Sequence, residues 1–125
     1  MTTRILRDPK AIKVNAEAEP LRQVVIDMFD IIKPFYSRQT AAYTTTGQAA
    51  LEIVEVDSSG SVTISLHVSP KDGQQVIVKR MGSGAVTVDT AGAETIDGSA
   101  SKSIASQYDV LRVIYTDASG EYVVI

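Results

Sequence analysis

From Ala41 to Ile125 the side chains alternate between apolar and polar in short runs, and that period limits the folds open to the chain more than any other feature. In Ser61 to Val68, the residues Val62, Ile64, Leu66 and Val68 fall on one face, and Ser61, Thr63, Ser65 and His67 on the other. This is the period of a strand with one face buried. The same alternation marks residues 50–56, 74–80, 85–90, 108–116 and 121–125. Turn clusters separate the runs: Asp57 to Gly60, Pro70 to Gly73, Met81 to Gly84, Asp97-Gly98 and Asp117 to Gly120. Short strands with a turn about every ten residues predict an antiparallel β-barrel or sandwich, because a parallel sheet is expected to carry helices between its strands. The six runs predict a mainly β protein whose β-domain spans residues 41–125.

Ahead of this domain the period changes. Between Pro20 and Pro34 the residues Leu21, Val24, Val25, Met28, Phe29 and Ile32 form one helical stripe, and the two prolines mark its ends. Ile26 and Ile31 add apolar surface outside the stripe. Two readings stand: a core helix, or a helix packed at a subunit interface through Leu21, Val25, Ile26, Met28, Phe29, Ile31 and Ile32. The helix and its junction cover residues 20–40. Residues 1–19 have neither period and read as an extended N-terminal arm. Arg4, Arg7, Lys10 and Lys13 recur every third residue against Asp8 alone, a local +3. The arm is either a frayed terminus or a contact with an acidic partner surface.

Charge and composition narrow the function. The chain of 125 residues has a net charge of −3, with +2 on residues 1–40 (seven basic, five acidic) and −5 on residues 41–125 (five basic, ten acidic). Nucleic acid is not an expected partner, because the basic residues lack interleaved aromatics and the β region would repel phosphate. No apolar stretch is long enough to span a bilayer, so no membrane partner is expected. Without cysteine there is no thiolate metal site or thiol nucleophile, and the lone histidine is a poor start for acid–base catalysis. Nothing singles out a catalytic pair among the carboxylates of the β region, and Asp57, Asp72, Asp97 and Asp117 suit turns. Met81 to Gly84 lacks the rest of a phosphate loop and reads as a hairpin turn. His67 reads as structural filler on a polar face, and Tyr108, Tyr115 and Tyr122 as core packing. No catalytic residue, metal site or cofactor is expected.

Residues 76–125 resemble a module that recurs in tail-fibre, collar, head-fibre and capsid-decoration proteins of tailed bacteriophages. Its parts are Val76 to Arg80, the Gly82 to Gly84 turn, Val86 to Val88, and Gly92 to Ser99 with the pattern G-x-ETIDG-S. Ser101 to Ser106, Gln107-Tyr108, Val110 to Tyr115 and Asp117 to Ile125 complete it. Tyr43 to Pro70 looks like the module's preceding hairpin, so the likeness covers about two-thirds of the chain. Residues 1–40 match no part of it, and Glu121 stands where the family usually has an aromatic.

The resemblance implies a noncatalytic virion surface protein, typically a homotrimer, made in the host cytoplasm. With only 40 residues outside the module, the expectation is a small accessory protein seated on a larger structure. A capsid decoration (cement) protein or head-fibre base would contact the major capsid protein or another virion protein through Arg4, Arg7, Lys10 and Lys13. The second reading is a tail-fibre or tail-tip carbohydrate-binding module with a host surface glycan as partner.

Overall fold

The structure is a computed structural model that describes residues 33–125. The expected arm and all but the last residue of the expected helix lie outside the described residues. Nine strands make up the rest: β1 (Phe35–Gln39), β2 (Tyr43–Thr44), β3 (Leu51–Val56), β4 (Val62–Leu66), β5 (Gln75–Arg80), β6 (Val86–Thr90), β7 (Ser101–Ile104), β8 (Val110–Thr116) and β9 (Glu121–Val124). The described residues contain no helix. The sheets begin at Phe35, ahead of Ala41.

Successive strands from β1 to β6 alternate between two sheets. The five-stranded sheet has the order β1-β3-β5-β8-β9, and the four-stranded sheet β2-β4-β6-β7. Pairing is parallel from β1 to β3 to β5 and from β2 to β4 to β6, so the expected antiparallel architecture is corrected to two mixed sheets. A parallel pair needs a long crossover, but the crossover need not be helical. Here each one is a strand of the opposite sheet. The chain therefore winds in coils: β3 and β4 form one, β5 and β6 the next, and β1 and β2 a shorter first one. Tyr43 to Pro70 is accordingly not a hairpin, since β3 and β4 lie in different sheets.

The register exposes a repeat in the sequence. Ile53 pairs with Ile77 and Val62 with Val86, each 24 positions on. At that offset Leu51 to Leu66 overlays Gln75 to Thr90, with Gly60 over Gly84. The turns between sheets stack as the strands do: Met81 N–H donates to Val56 O (2.7 Å) and Gly84 N–H to Ser58 O (2.8 Å). A Cβ on Gly82 would collide with Ser58 O, and one on Gly84 with Gly60 O, so glycine is required by close approach of two backbones. Met81 to Gly84 is thus a corner between sheets, not the hairpin turn expected.

The stack ends where the chain reverses. β7 runs antiparallel to β6, β8 to β5, and β9 to β8. Between the sheets lie Val54, Val56, Val62, Ile64, Leu66, Val76, Val78, Val86 and Val88, all buried, with Ile96, Ile104, Val113 and Tyr122 closing the core at the reversed end. Full burial of each such side chain contributes about 1.5–3 kcal/mol, so the inward rows of the coils carry most of the stability.

Candidate functional site

A buried polar junction ties the first coils together. Thr45, Glu52, His67 and Gln74 are the buried polar residues among those described. Gln74 Nε2 donates to Gly47 O (2.9 Å) and Ala49 O (3.2 Å), which orients its amide and leaves Oε1 to accept from Lys71 N–H (2.8 Å) and His67 Nε2 (3.1 Å). The ring proton therefore sits on Nε2, and Nδ1 accepts from the Thr45 hydroxyl at 2.6 Å. Thr45 Oγ1 also accepts the His67 backbone N–H at 2.9 Å. Gly47, at φ +71°, leaves no space for a side chain, since a Cβ there would lie 2.6 Å from His67 Cδ2.

This corrects the expected place of His67 on a polar outer face. The alternation holds through Leu66 and then breaks: Leu66 and His67 are both buried, Val68 is 55% exposed, and Ser69 takes a positive φ of 53°. The chain turns out of the strand at the residue where the sequence pattern still reads on.

Beside this junction, Glu52 is wholly inside. Its Oε2 accepts from the Tyr43 hydroxyl (2.7 Å), and its Oε1 from the backbone N–H and hydroxyl of Thr46 (2.9 and 3.1 Å). Burial first, and then the hydrogen bond to Glu52, push the Tyr43 hydroxyl up to about 12. Every donor and acceptor of the junction named here is satisfied by protein, which rigidifies the coils.

The ETIDG motif locks the C-terminal strand. Asp97 and Gly98 both have positive φ (48° and 79°), and Ile96 and Ser99 exchange two backbone hydrogen bonds, which defines a two-residue primed turn. Glu121 Oε1 accepts from the Thr95 hydroxyl and from Gly98 N–H, both at 2.7 Å, while Asp97 Oδ1 accepts from Val124 N–H at 3.1 Å. Tyr122, fully buried, donates its hydroxyl to His67 O (3.0 Å) and meets Tyr115 edge-on at 5.6 Å. Burial raises the Tyr122 hydroxyl well above its ordinary range, with Glu94 and Tyr115 adding to it. Arg80 holds the other end: its guanidinium donates to the carbonyls of Gly82, Ser83, Ile104 and Ala105. The motif residues thus have structural work in the described fold.

The outer faces of the two sheets differ. On the four-stranded sheet, Thr63, Thr87 and Ser103 form one row and Thr44, Ser65, Asp89 and Ser101 the other. Six hydroxyl groups and one carboxylate make up that surface, with Ser65 Oγ donating to Asp89 at 2.6 Å. On the five-stranded sheet the rows read Leu51, Gln75, Ile114, Val123; then Tyr36, Ile53, Ile77, Arg112; then Arg38, Glu55, Lys79, Val110. Arg38 bridges Glu55 and Asp57, each at 3.0 Å. Of the exposed large hydrophobic side chains described, Phe35, Tyr36, Tyr108, Val110 and Ile125 lie on this sheet's strands or within two residues of them, and only Val68 does not.

The expected partner contacts Arg4, Arg7, Lys10 and Lys13, and the expected interface residues Leu21, Val25, Ile26, Met28, Phe29, Ile31 and Ile32, lie outside the described residues. The three tyrosines expected in the core divide: Tyr122 is buried and Tyr115 packs against the core, but Tyr108 is 59% exposed. Sequence reasoning missed the two outer faces. The 24-residue repeat, which places Ile53 beside Ile77 and Thr63 beside Thr87, is the signal that finds them. Among the described residues, no group of three or more His, Cys, Asp or Glu side chains could hold a metal ion, and no helix is long and apolar enough to cross a membrane. No protein-family model matches the chain, and a comparison with curated proteins returns no match.

Proposed function

We propose that the chain is a noncatalytic structural subunit of a tailed-bacteriophage virion surface, most simply a trimeric capsid decoration protein or head-fibre base. The likeness of residues 76–125 to the virion module supplies the class. The observation that carries the reading is the contrast between an outer face on one sheet that mixes seven apolar side chains with Gln75 and four charged groups, and a hydroxyl-covered outer face on the other. A subunit that docks by one side and meets water with the other has this division. Attachment to the major capsid protein or another virion protein is assigned to the arm, where Arg4, Arg7, Lys10 and Lys13 carry a local +3 that suits an acidic shell. Three arms per trimer strengthen weak single contacts by multivalency.

The second reading, a tail-tip module for host surface glycans, draws on the hydroxyl rows of the four-stranded sheet. Gold-labelled antibody on intact particles separates the two. Label on the head supports decoration, label on the tail tip supports adhesion, and unlabelled particles in a lysate that contains the protein overturn both.

A further inference from the structure

We infer that the Asp97–Gly98 bond is a site of aspartate isomerisation that the docked strand β9 holds closed, so that chemical ageing at this turn begins when β9 leaves. This chemistry does not depend on whether copies of the chain assemble.

Aspartate followed by glycine is the pair most open to the reaction, because glycine puts no side chain in the way of its own nitrogen. The chain has two such pairs, Asp72-Gly73 and Asp97-Gly98, both in turns with the glycine at positive φ (86° and 79°). In the reaction the glycine nitrogen gives up its proton and bonds the aspartate Cγ, and a carboxyl oxygen leaves as water. The succinimide ring then takes up water at either carbonyl, which returns aspartate or leaves isoaspartate with no net change of composition. Attack needs the nitrogen free of other partners and the carboxyl group turned towards it.

At Asp97-Gly98 both reacting groups are held, and β9 holds them. Gly98 N–H donates to Glu121 Oε1 at 2.7 Å, and Asp97 Oδ1 accepts from Val124 N–H at 3.1 Å. The main chain beside them is tied to the same strand, since Asp97 N–H donates to Tyr122 O and Tyr122 N–H to Thr95 O, each at 2.9 Å. Departure of β9 therefore frees the nucleophile and the carboxyl group together. β9 is the last strand of its sheet, and openings with few supporting contacts cost least, but here the buried Tyr122 ring must leave the core as well.

Conversion has a structural consequence. Isoaspartate adds one carbon to the main chain of a turn in which Ile96 and Ser99 exchange two hydrogen bonds, and it takes the carboxylate away from the position that receives Val124 N–H. A converted turn cannot re-form the lock, so an opening of β9 becomes irreversible. Asp72-Gly73 supplies the comparison within the same molecule. Gly73 N–H donates to Tyr115 O and Asp72 Oδ1 accepts from Asp117 N–H, both at 2.8 Å, so β8 and the turn after it hold that pair.

The test ages the full chain at physiological temperature and neutral pH, in buffer and in concentrated urea. Isoaspartate is counted by enzymatic carboxyl methylation and assigned to Asp72 or Asp97 by electron-transfer fragmentation of tryptic peptides. In buffer, both sites of the wild type are expected to convert at least about tenfold more slowly than in urea. Glu121→Ala leaves Gly98 N–H without its acceptor, so it is expected to raise conversion at Asp97 at least about tenfold and to leave Asp72 at the wild-type rate. Glu121→Gln, whose amide oxygen still accepts, should convert as wild type does. Equal rates in buffer and urea at Asp97 would show that the fold does not close the site. A rise of equal size at both sites in Glu121→Ala would trace protection to overall stability and remove β9 as the lock. Conversion at Asp97 that is unchanged or slower in Glu121→Ala overturns the inference too, the slower case making Glu121 the base that takes the Gly98 proton.

Discussion

The two sheets share their coils, their turns and their core, yet differ in what they present outward: hydroxyls on the four-stranded sheet, and apolar side chains interleaved with Arg38, Glu55, Lys79 and Arg112 on the five-stranded one. Within one coil, β3 points Val54 and Val56 inward and Ile53 outward, while β4 points Val62 and Ile64 inward and Thr63 outward. The inward positions are interchangeable in kind because both sheets must fill the same narrow space. The outward positions are under no such demand: isoleucine lies over isoleucine on one sheet and threonine over threonine on the other, while Leu51 lies over Gln75, Glu55 over Lys79 and Ser65 over Asp89. The proposed docking role draws on this difference between the two outer faces.

The comparison is sharpened by changing inward and outward positions of the same strand. Tyr122→Ala, inside, should destabilise by about 3–5 kcal/mol and melt both sheets in one transition, because the ring fills the core and its hydroxyl holds His67 O. Denaturant unfolding followed by circular dichroism measures this, and a loss below 1 kcal/mol would show the layers to be independent. His67→Ala should cost about 1–3 kcal/mol, since Thr45 and Gln74 would each lose a partner in a buried site. Thr63→Ile with Thr87→Ile, outside, should change stability by less than about 0.5 kcal/mol while making the protein self-associate further, as the second face acquires an apolar row. Solubility and light scattering read that outcome.

A further effect appears only in alkali. The Tyr43 hydroxyl sits at about 12 in the fold, above its ordinary value of about 10, so the unfolded chain releases that proton first. Stability due to this group is complete below about pH 10 and is lost as pH rises towards 12. Tyr43→Phe should flatten that decline in urea midpoints measured between pH 9 and 11.5. An unchanged slope would show that Tyr43 does not titrate with unfolding.

The strands were legible because alternation survives locally: all six expected runs contain strands. Their partners were not. Period two marks which side chain is inside and is silent on whether the neighbour runs parallel, and the expectation of helical crossovers hid a chain that crosses by means of its other sheet. The 24-residue offset is visible in Gly60 over Gly84 and Val62 over Val86 once the chain is compared with itself. β1, β2 and β7 are short edge strands with few apolar residues, so their pairing comes from neighbours already in place. Alternation read one residue past Leu66 misplaces His67, and a packing role read for Tyr108 together with Tyr115 and Tyr122 misplaces Tyr108. Positive φ at Ser69 and Tyr108 redirects both segments, and nothing in the side-chain types there announces it. Of the candidate site, the outer rows follow from the repeat. The arm and helix assignments, outside the described residues, stand on the sequence alone.

Hydroxyl-radical footprinting of the full chain across dilution tests the division of faces most directly. Tyr36, Tyr108 and Val68 are all more than half exposed in the single chain, but only Val68 lies away from the five-stranded sheet. The account predicts that Tyr36 and Tyr108 are protected at 50 μM and gain reactivity as the copies separate, with Val68 unchanged throughout. Constant reactivity of Tyr36 and Tyr108 from 50 μM to the dilution at which the mass falls to 13.4 kDa would contradict it.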